Sequence, residues 1–394
     1  VLHSRDWIFI KECIIGGPIP PKGKTIKEME NSNVIQNFVG RPDRFKEWMY
    51  DIVANRHNGL DVDKLDYLAR DGRRAFSTAG EINPMFVEEA RVAWGSCPRP
   101  LKCFRCKHNN KVTSTPTILR VEEDGTYGKN LHLMICYPTK VVEPAMKFFK
   151  NRFHNHQQLY THKTSKAAEL MVCDILVLAD PYIPISTLNE GDGTELRKNK
   201  NTGGNASGNY VSISEAMTDP NAYLRLKDSV LDLISNSTSS DLLKARQLLR
   251  RLQSRKLYKH IDEINIASED GVTIDDSYHN KLWEMPEDEI RQRIVKSASL
   301  VRKSKDESNQ SNERQDFTSL HMDDIIIEKR AIHHGMGATN PVSCMRFLEK
   351  SQTTKLLETG PNLPLARKRE DKEYWASMPR ALLSRCIRVY CRTD

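Results

Sequence analysis

Long apolar runs are missing from this chain. No stretch approaches the ~18–20 apolar residues that a membrane-spanning helix needs. The nearest, residues 167–183, is interrupted by Glu169, Asp174 and Asp180. The opening Val-Leu-His-Ser-Arg-Asp does not read as a signal peptide. The first residue is Val rather than Met, which suggests a piece of a longer polypeptide. Internal repeats are absent. Cysteines number nine, an odd count that argues against a disulfide scaffold and for a reducing, intracellular setting, nucleus or cytoplasm. Neither charge sign dominates: 60 Lys and Arg against 52 Asp and Glu leave +8, mildly basic and compatible with phosphate-bearing partners. At 394 residues and roughly 150 per domain, two or three domains are expected. Hydrophobic residues at 38% describe a globular chain with polar inserts.

The pattern along the chain is mainly helical. Residues 8–15 read as an amphipathic helix stopped by Gly16-Gly17-Pro18. Residues 44–75 read as two helices separated by Asn58-Gly59, the second starting after an N-cap at Asp61. A short helix is expected over 86–94 and a Cys-, Pro- and Lys-rich loop over 95–110. Strand-like runs at 115–121 and 131–137 follow, punctuated by Gly125 and Gly128. One long helix is expected over 142–178, a polar loop over 189–209, and helices again over 213–260. A charged Ser/Asn/Lys run at 303–315 reads as a solvated linker. Strands at 324–328 and 386–391 flank it, so 262–394 reads as a smaller mixed lobe.

Two groups of residues carry chemistry. On a helix, Asp63, Tyr67, Arg70 and Asp71 share one face. Such a face suits a divalent metal with a polyphosphate, and equally a solvated surface laced with i,i+4 ion pairs. Arg152, His156, Tyr160 and Lys163 fall within a quarter-turn of one another if 142–178 is one continuous helix. That stripe could bind phosphates and donate a proton to a leaving oxygen, or could be an ordinary wet basic face. Cys97, Cys103, Cys106 and His108 contain one Cys-x-x-Cys, a weak zinc signature whose default reading is a reduced surface loop.

The string Asn58-Gly59-Leu60-Asp61-Val62-Asp63-Lys64-Leu65-Asp66-Tyr67-Leu68-Ala69-Arg70-Asp71 closely resembles that of the SAM- and HD-domain-type deoxynucleoside triphosphate triphosphohydrolases, within the HD phosphohydrolase superfamily. Phe9-Ile10-Lys11-Glu12, Ile14-Ile15-Gly16, residues 149–163, Ala222-Tyr223, Arg255-Lys256-Leu257-Tyr258-Lys259, Gly335-Met336, Asn340-Pro341 and Ile387-Arg388-Val389-Tyr390-Cys391 follow in the family's order. The resemblance implies a mainly α fold, the C-terminal part of an HD-domain helical core with a smaller C-terminal α+β lobe. The implied division is 1–80 for the catalytic core, 81–261 for the pocket and assembly region, and 262–394 for the mixed lobe. It also implies metal-dependent hydrolysis of dNTPs, dGTP included, to deoxynucleoside and inorganic triphosphate. Asp63 would be one metal ligand. Lys64 would lie near phosphate, Tyr67 and Asp71 near the sugar. Arg152 would hold phosphate, with His156 and Tyr160 completing the catalytic pocket. A nucleotide activator (GTP or dNTP) would bind at Lys140, His162, Lys163, Arg255 and Lys259 in a homo-oligomer, dimer or tetramer.

The departures are specific. The family's His…His-Asp ligands would lie upstream of Phe9, so the divalent metal (Mg, Mn, Fe or Zn) would need ligands outside this chain, and this chain alone would be inactive. A Gln that follows Tyr160 in the family is Thr161 here, which bears on sugar selectivity. Met85, Pro138 and Gln158 replace family arginines, Pro144 an Asn and Thr339 a Lys. The competing expectation is an inactive relative that binds nucleotide or single-stranded nucleic acid through Lys244, Arg246, Arg250, Arg251, Arg255 and Lys259.

Overall fold

A computed structural model describes residues 3–21, 38–41, 44–76, 85–104, 106, 131–187, 210–266, 276–308, 320–349, 365–368 and 382–392, with the isolated positions 23, 25 and 28. Helix predominates, with small sheets, as the sequence pattern implies. The chain separates into two compact units. The first takes Val1–Leu159, Asn265–Asp276 and Ala331–Cys386, and the second takes Tyr160–Ile264, Ser277–Arg330 and Ile387–Asp394.

In the first unit the helix Ser4–Ile15 ends where the sequence says it should. Gly16 takes φ +72°, and its N–H donates to the Glu12 carbonyl at 2.8 Å. A left-handed residue there is cheap only for glycine. The buried Glu12 carboxylate accepts from Val39 N at 2.8 Å, Gly40 N at 3.0 Å and the Tyr50 hydroxyl at 2.6 Å. Gly40 is obligatory at this contact, because a Cβ would sit 2.4 Å from the Phe9 backbone. The helix Val62–Phe76 starts as expected after Asp61, whose Oδ1 accepts from Lys64 N at 3.2 Å. Leu60 and Leu68 from this region pack into the unit's largest core with Phe86, Tyr137, Phe148, Phe149 and Met345.

A four-stranded sheet completes this unit, in the order Phe347–Leu348, Leu131–Pro138, Arg91–Ser96, Leu365–Ala366. The two long strands are antiparallel, from Arg91 opposite Cys136 to Ser96 opposite Leu131. This corrects the expected helix over 86–94: only Met85–Glu88 is helical, and a strand follows. A short apolar run does not distinguish the two by periodicity, and pairing with Leu131–Pro138 decides it. The expected strand at 115–121, Gly125, Gly128 and the loop at 189–209 lie outside the described residues.

The expected continuous helix over 142–178 is also corrected. An α-helix Val142–Asn155 passes into a π turn, His156–Tyr160, and a new helix, Lys163–Ala179, begins with His162 as its N-cap. In the second unit the Thr161 carbonyl accepts from Arg388 Nη1 at 2.6 Å and Arg330 Nη1 at 3.3 Å, which holds the break open. The helix Lys163–Ala179 packs against Leu243–Gln253 over Ile175, Ala179, Ile234, Leu242, Ala245 and Leu249. Lys259 opens a strand, Lys259–Asn265, rather than extending a basic helix. That strand joins the sheet order Lys259–Asn265, Leu383–Cys391, Ile325–His333. The expected linker at 303–315 begins as helix instead, since Glu287–Ser308 is helical. Among the described residues, no helix is long and apolar enough to cross a membrane.

Candidate functional site

The segment before the Val62–Phe76 helix is stitched by its own side chains. Asn55 Oδ1 accepts from the N–H groups of His57 at 3.0 Å and Asn58 at 3.2 Å, and Asn58 Oδ1 accepts from Leu60 N at 2.9 Å. Gly59 takes φ +75° within this turn. Asp61 Oδ2 accepts from Asn55 N at 3.2 Å and from Lys64 Nζ at 2.8 Å. Asx-type bonds of this kind fix a loop without regular structure. They set the direction of the helix that carries Asp63, Lys64, Tyr67 and Asp71.

On that helix Tyr67 is half-buried, and the Arg152 guanidinium acts on its phenol. Burial pushes its phenol up, while Arg152 opposes the shift. Arg152 comes from the helix Val142–Asn155, and its Nη1 donates to the His333 carbonyl. His156 and His333 flank it. Burial, then the Arg152 charge, lowers both imidazoles to about 4, so both are neutral at pH 7. His334 and Lys64 act in the same direction on His333. Arg152, Lys64, His156 and His333 thus converge beside Tyr67, all within the first unit. Lys64 is already paired with Asp61 at 2.8 Å, so Arg152 is the main cationic group that acts on both imidazoles. Sequence reasoning missed His333. The only available hint was its place two residues before the quoted Gly335-Met336 pair.

The other expected residues are placed as follows. Asp63 is exposed. Asp71 accepts from Arg70 Nε at 3.0 Å, and Arg70 also reaches Asp66 at 3.0 Å, so this face carries the ion pairs of an exposed helix. Tyr160 closes the π turn and belongs to the second unit. Lys163 is the first residue of the following helix, so it does not continue a stripe begun at Arg152. Lys140, His162, Lys163, Arg255 and Lys259 are all exposed, and Lys140 pairs with Glu89 at 2.5 Å. Arg255 adopts φ +59° in the turn after the Leu243–Gln253 helix. In the basic helix, Arg246 donates to the Ser239 carbonyl at 2.6 Å and Arg251 to the Arg392 carbonyl at 3.1 Å. Only part of its charge is therefore offered outward.

A catalytic metal is implied by the resemblance. Asp63 belongs to no group of three or more metal-ligating side chains among the described residues. The residues described here do not by themselves fit that metal.

A different group does come together: His57, Cys97, Cys103 and His132 offer ligand atoms that all lie within 4.8 Å of one another. The antiparallel pairing explains half of it, since Cys97 directly follows Ser96 and His132 directly follows Leu131, the partners at one end of the ladder. The stitched loop supplies His57. Cys103 Sγ is 3.7 Å from both His57 Nε2 and His132 Nε2, and Cys106 Sγ is 3.0 Å from His132 Nε2. Burial would lower the His132 imidazole, but the thiols of Cys103 and Cys97 and the Glu47 carboxylate outweigh it and hold it at about 10. Contact with Cys103 opposes ionisation of Cys97, yet Cys106 and the two imidazoles bring it down to about 7. The expected insert loop is therefore not a solvated surface at its start: Cys97 and Cys106 are buried. His108 lies outside the described residues.

No family model matches the chain. Curated relatives do. The deoxynucleoside triphosphate triphosphohydrolase SAMHD1 of Mus musculus is 26% identical over 393 residues, 100% of this chain and 47% of the relative. That of Xenopus laevis is 27% identical over 387 residues, 98% of this chain and 48% of the relative. An HD domain-containing protein of Acanthamoeba polyphaga mimivirus is 26% identical over 272 residues, 67% of this chain. The chain spans about half the length of the curated relatives it matches. The resemblance carried by the Asn58–Asp71 string thus extends along the whole chain, which is similar from end to end to proteins named as deoxynucleoside triphosphate triphosphohydrolases.

Proposed function

We propose that this chain is part of an HD-type enzyme that hydrolyses dNTPs, dGTP included, to a deoxynucleoside and inorganic triphosphate. The observation that carries the reading is the convergence of Lys64, Tyr67, Arg152, His156 and His333 at the helix bearing the family-like string. A triphosphate supplies the negative charge that this group lacks. Arg152 holds phosphate oxygens, Lys64 adds a second cation, and Tyr67 and Asp71 face the sugar. His156 starts as a neutral imidazole. An adjacent phosphate raises its pKa, so it takes up a proton on binding and can return it to the leaving oxygen. The hydrolysis requires a divalent metal, with Asp63 as the ligand from this chain and the others from outside it. For Tyr160, and for an activating nucleotide at Lys140, His162, Lys163, Arg255 and Lys259 in an oligomer, the reading rests on the resemblance alone.

The test is a calorimetric titration of the full chain with inorganic triphosphate and with dGTP. Removing a charge-assisted hydrogen bond worth ~1.5–3 kcal/mol, Arg152→Ala should weaken both ligands by roughly 10- to 100-fold. Equal affinity for wild type and variant would remove Arg152 from the phosphate site and the reading with it. The alternative, a binding protein for single-stranded nucleic acid, predicts instead a steep salt dependence that is lost with Lys244 and Arg250.

A further inference from the structure

We propose that His57, Cys97, Cys103 and His132 bind a structural zinc ion that clamps the base of the insert following Ser96 to the loop leading into the pocket helix. The site is separate from any catalytic metal and does not depend on the dNTPase reading. Zn–S bonds of about 2.3 Å and Zn–N bonds of about 2.05 Å at tetrahedral angles put sulfur and nitrogen about 3.6 Å apart. Cys103 Sγ stands 3.7 Å from both imidazole Nε2 atoms. Two of the six edges of an S2N2 tetrahedron thus already have nearly zinc-bound length, and the remaining four are each within 4.8 Å.

The surroundings match a metal site as well. His57 Nδ1 lies 3.3 Å from Asp51 Oδ1, and His132 Nδ1 lies 3.5 Å from Glu47 Oε2. Each histidine thus turns Nε2 inward and backs its outer nitrogen with a carboxylate, the arrangement that orients zinc-bound imidazoles. The two rings stack with centroids 5.8 Å apart. Burial is deep: His132 is fully buried, His57 is 6% exposed and Cys97 8%. An open cavity lined by Tyr50, Asp51, Arg56, His57, Lys102 and Cys103 leads to the group, giving an ion a route in. Zinc takes the cysteines as thiolates and the imidazoles as neutral bases, so each ligand releases to solvent whatever proton it carries before binding. Cys106 touches His132 but is absent from the four mutually close donors. It is assigned a packing role beside the site.

The ligands come from three separate stretches of chain, which makes the ion a cross-link rather than a local finger. The test uses the full chain expressed in zinc-supplemented medium, with metal content measured by mass spectrometry. About one zinc per chain is expected, falling below about a tenth in Cys103→Ser and in His57→Ala. Cys106→Ser and the remote Cys173→Ser should keep it. Should the ligand variants fail to fold, wild-type protein exchanged with Co2+ provides the second readout. Tetrahedral S2N2 coordination gives intense visible bands and a thiolate charge-transfer band. Metal-free protein that takes up no Co2+, a disulfide among the three cysteines, or loss of zinc in Cys106→Ser equal to that in Cys103→Ser would each overturn the assignment.

Discussion

Replacing Glu12 by Gln tests whether the first unit is organised around one buried carboxylate. The carboxylate is 1% exposed and accepts three hydrogen bonds, from Val39 N, Gly40 N and the Tyr50 hydroxyl. The Tyr50 hydroxyl in turn accepts from Arg41 N at 3.0 Å, so it must donate to Glu12 and is not free to reverse. A glutamine keeps the shape but has one acceptor oxygen. Its best orientation serves Gly40 and Tyr50 and points an NH2 group at the Val39 N–H. One charge-assisted bond worth ~1.5–3 kcal/mol is then lost and two become neutral, at a further cost of ~1 kcal/mol together. The smaller desolvation cost of an amide recovers part, leaving a net loss of about 3 kcal/mol. Amide exchange in the 38–41 segment should therefore speed up by roughly 100-fold, at ~1.4 kcal/mol per factor of ten. Hydrogen exchange read by mass spectrometry resolves this segment without needing the two units to unfold together. Tyr50→Phe, which removes one of the three donors, should cost about 1–2 kcal/mol. Acceleration below about threefold in Glu12→Gln would refute the claim that this carboxylate holds residues 38–41 and Tyr50 in place.

Protonation in the anion site gives the next prediction. His156 and His333 sit at about 4, so an entering triphosphate should draw protons onto them. Calorimetry at pH 6 in buffers of different ionisation enthalpy should show net uptake, opposed by the Arg152, Lys64 and His334 charges that act on the rings; zero uptake would contradict it. In the second unit, burial pushes the Asp174 carboxyl up, but hydrogen bonds from Arg392 at 2.7 Å and Tyr258 at 2.7 Å bring it below its ordinary value. A lowered folded-state pKa stabilises above the unfolded value of ~3.9 and is lost as pH falls below it, so Asp174→Asn should flatten the acid limb of the second unit's unfolding curve. An unchanged slope between pH 5 and 3 would count against the pairing. Gly59→Ala forces an L side chain to φ +75° and should cost about 1–2 kcal/mol, measured by urea denaturation.

The sequence signals that succeeded were local ones. Gly16 marked a helix end, Asp61 a helix start, and the Asn58–Asp71 string a family resemblance, each within a few residues. What failed depended on distant pairing. Residues 91–96 become a strand because Leu131–Pro138 lies alongside. The helix over 142–178 breaks because Arg330 and Arg388, far along the chain, capture the Thr161 carbonyl. No spacing rule applied to 142–178 alone can register those arginines. The same holds for the cysteines: one Cys-x-x-Cys is weak evidence, and the histidines that complete the group come from elsewhere in the sequence. His57 sits one residue ahead of the most recognisable string in the chain, yet nothing about its neighbours marks it as a ligand.

That adjacency bears on how the site is built. The hydrogen bonds of Asn55, Asn58 and Asp61 make residues 55–61 a short, rigid connection between the His57 ring and the first turn of the helix carrying Lys64 and Tyr67. A ligand at His57 would therefore be felt at that helix through backbone geometry rather than through a flexible linker. Ordering a loop before binding lowers the entropy that binding must overcome. Removing the ion with a chelator should then weaken triphosphate binding by several-fold while leaving the Arg152→Ala effect proportionally intact, because the two perturbations act on separate elements, the 55–61 loop and the helix Val142–Asn155. If chelation instead abolished the difference between wild type and Arg152→Ala, the loop would be organising Arg152 directly. The helix Val142–Asn155 would then have to be reconsidered as part of the clamped region.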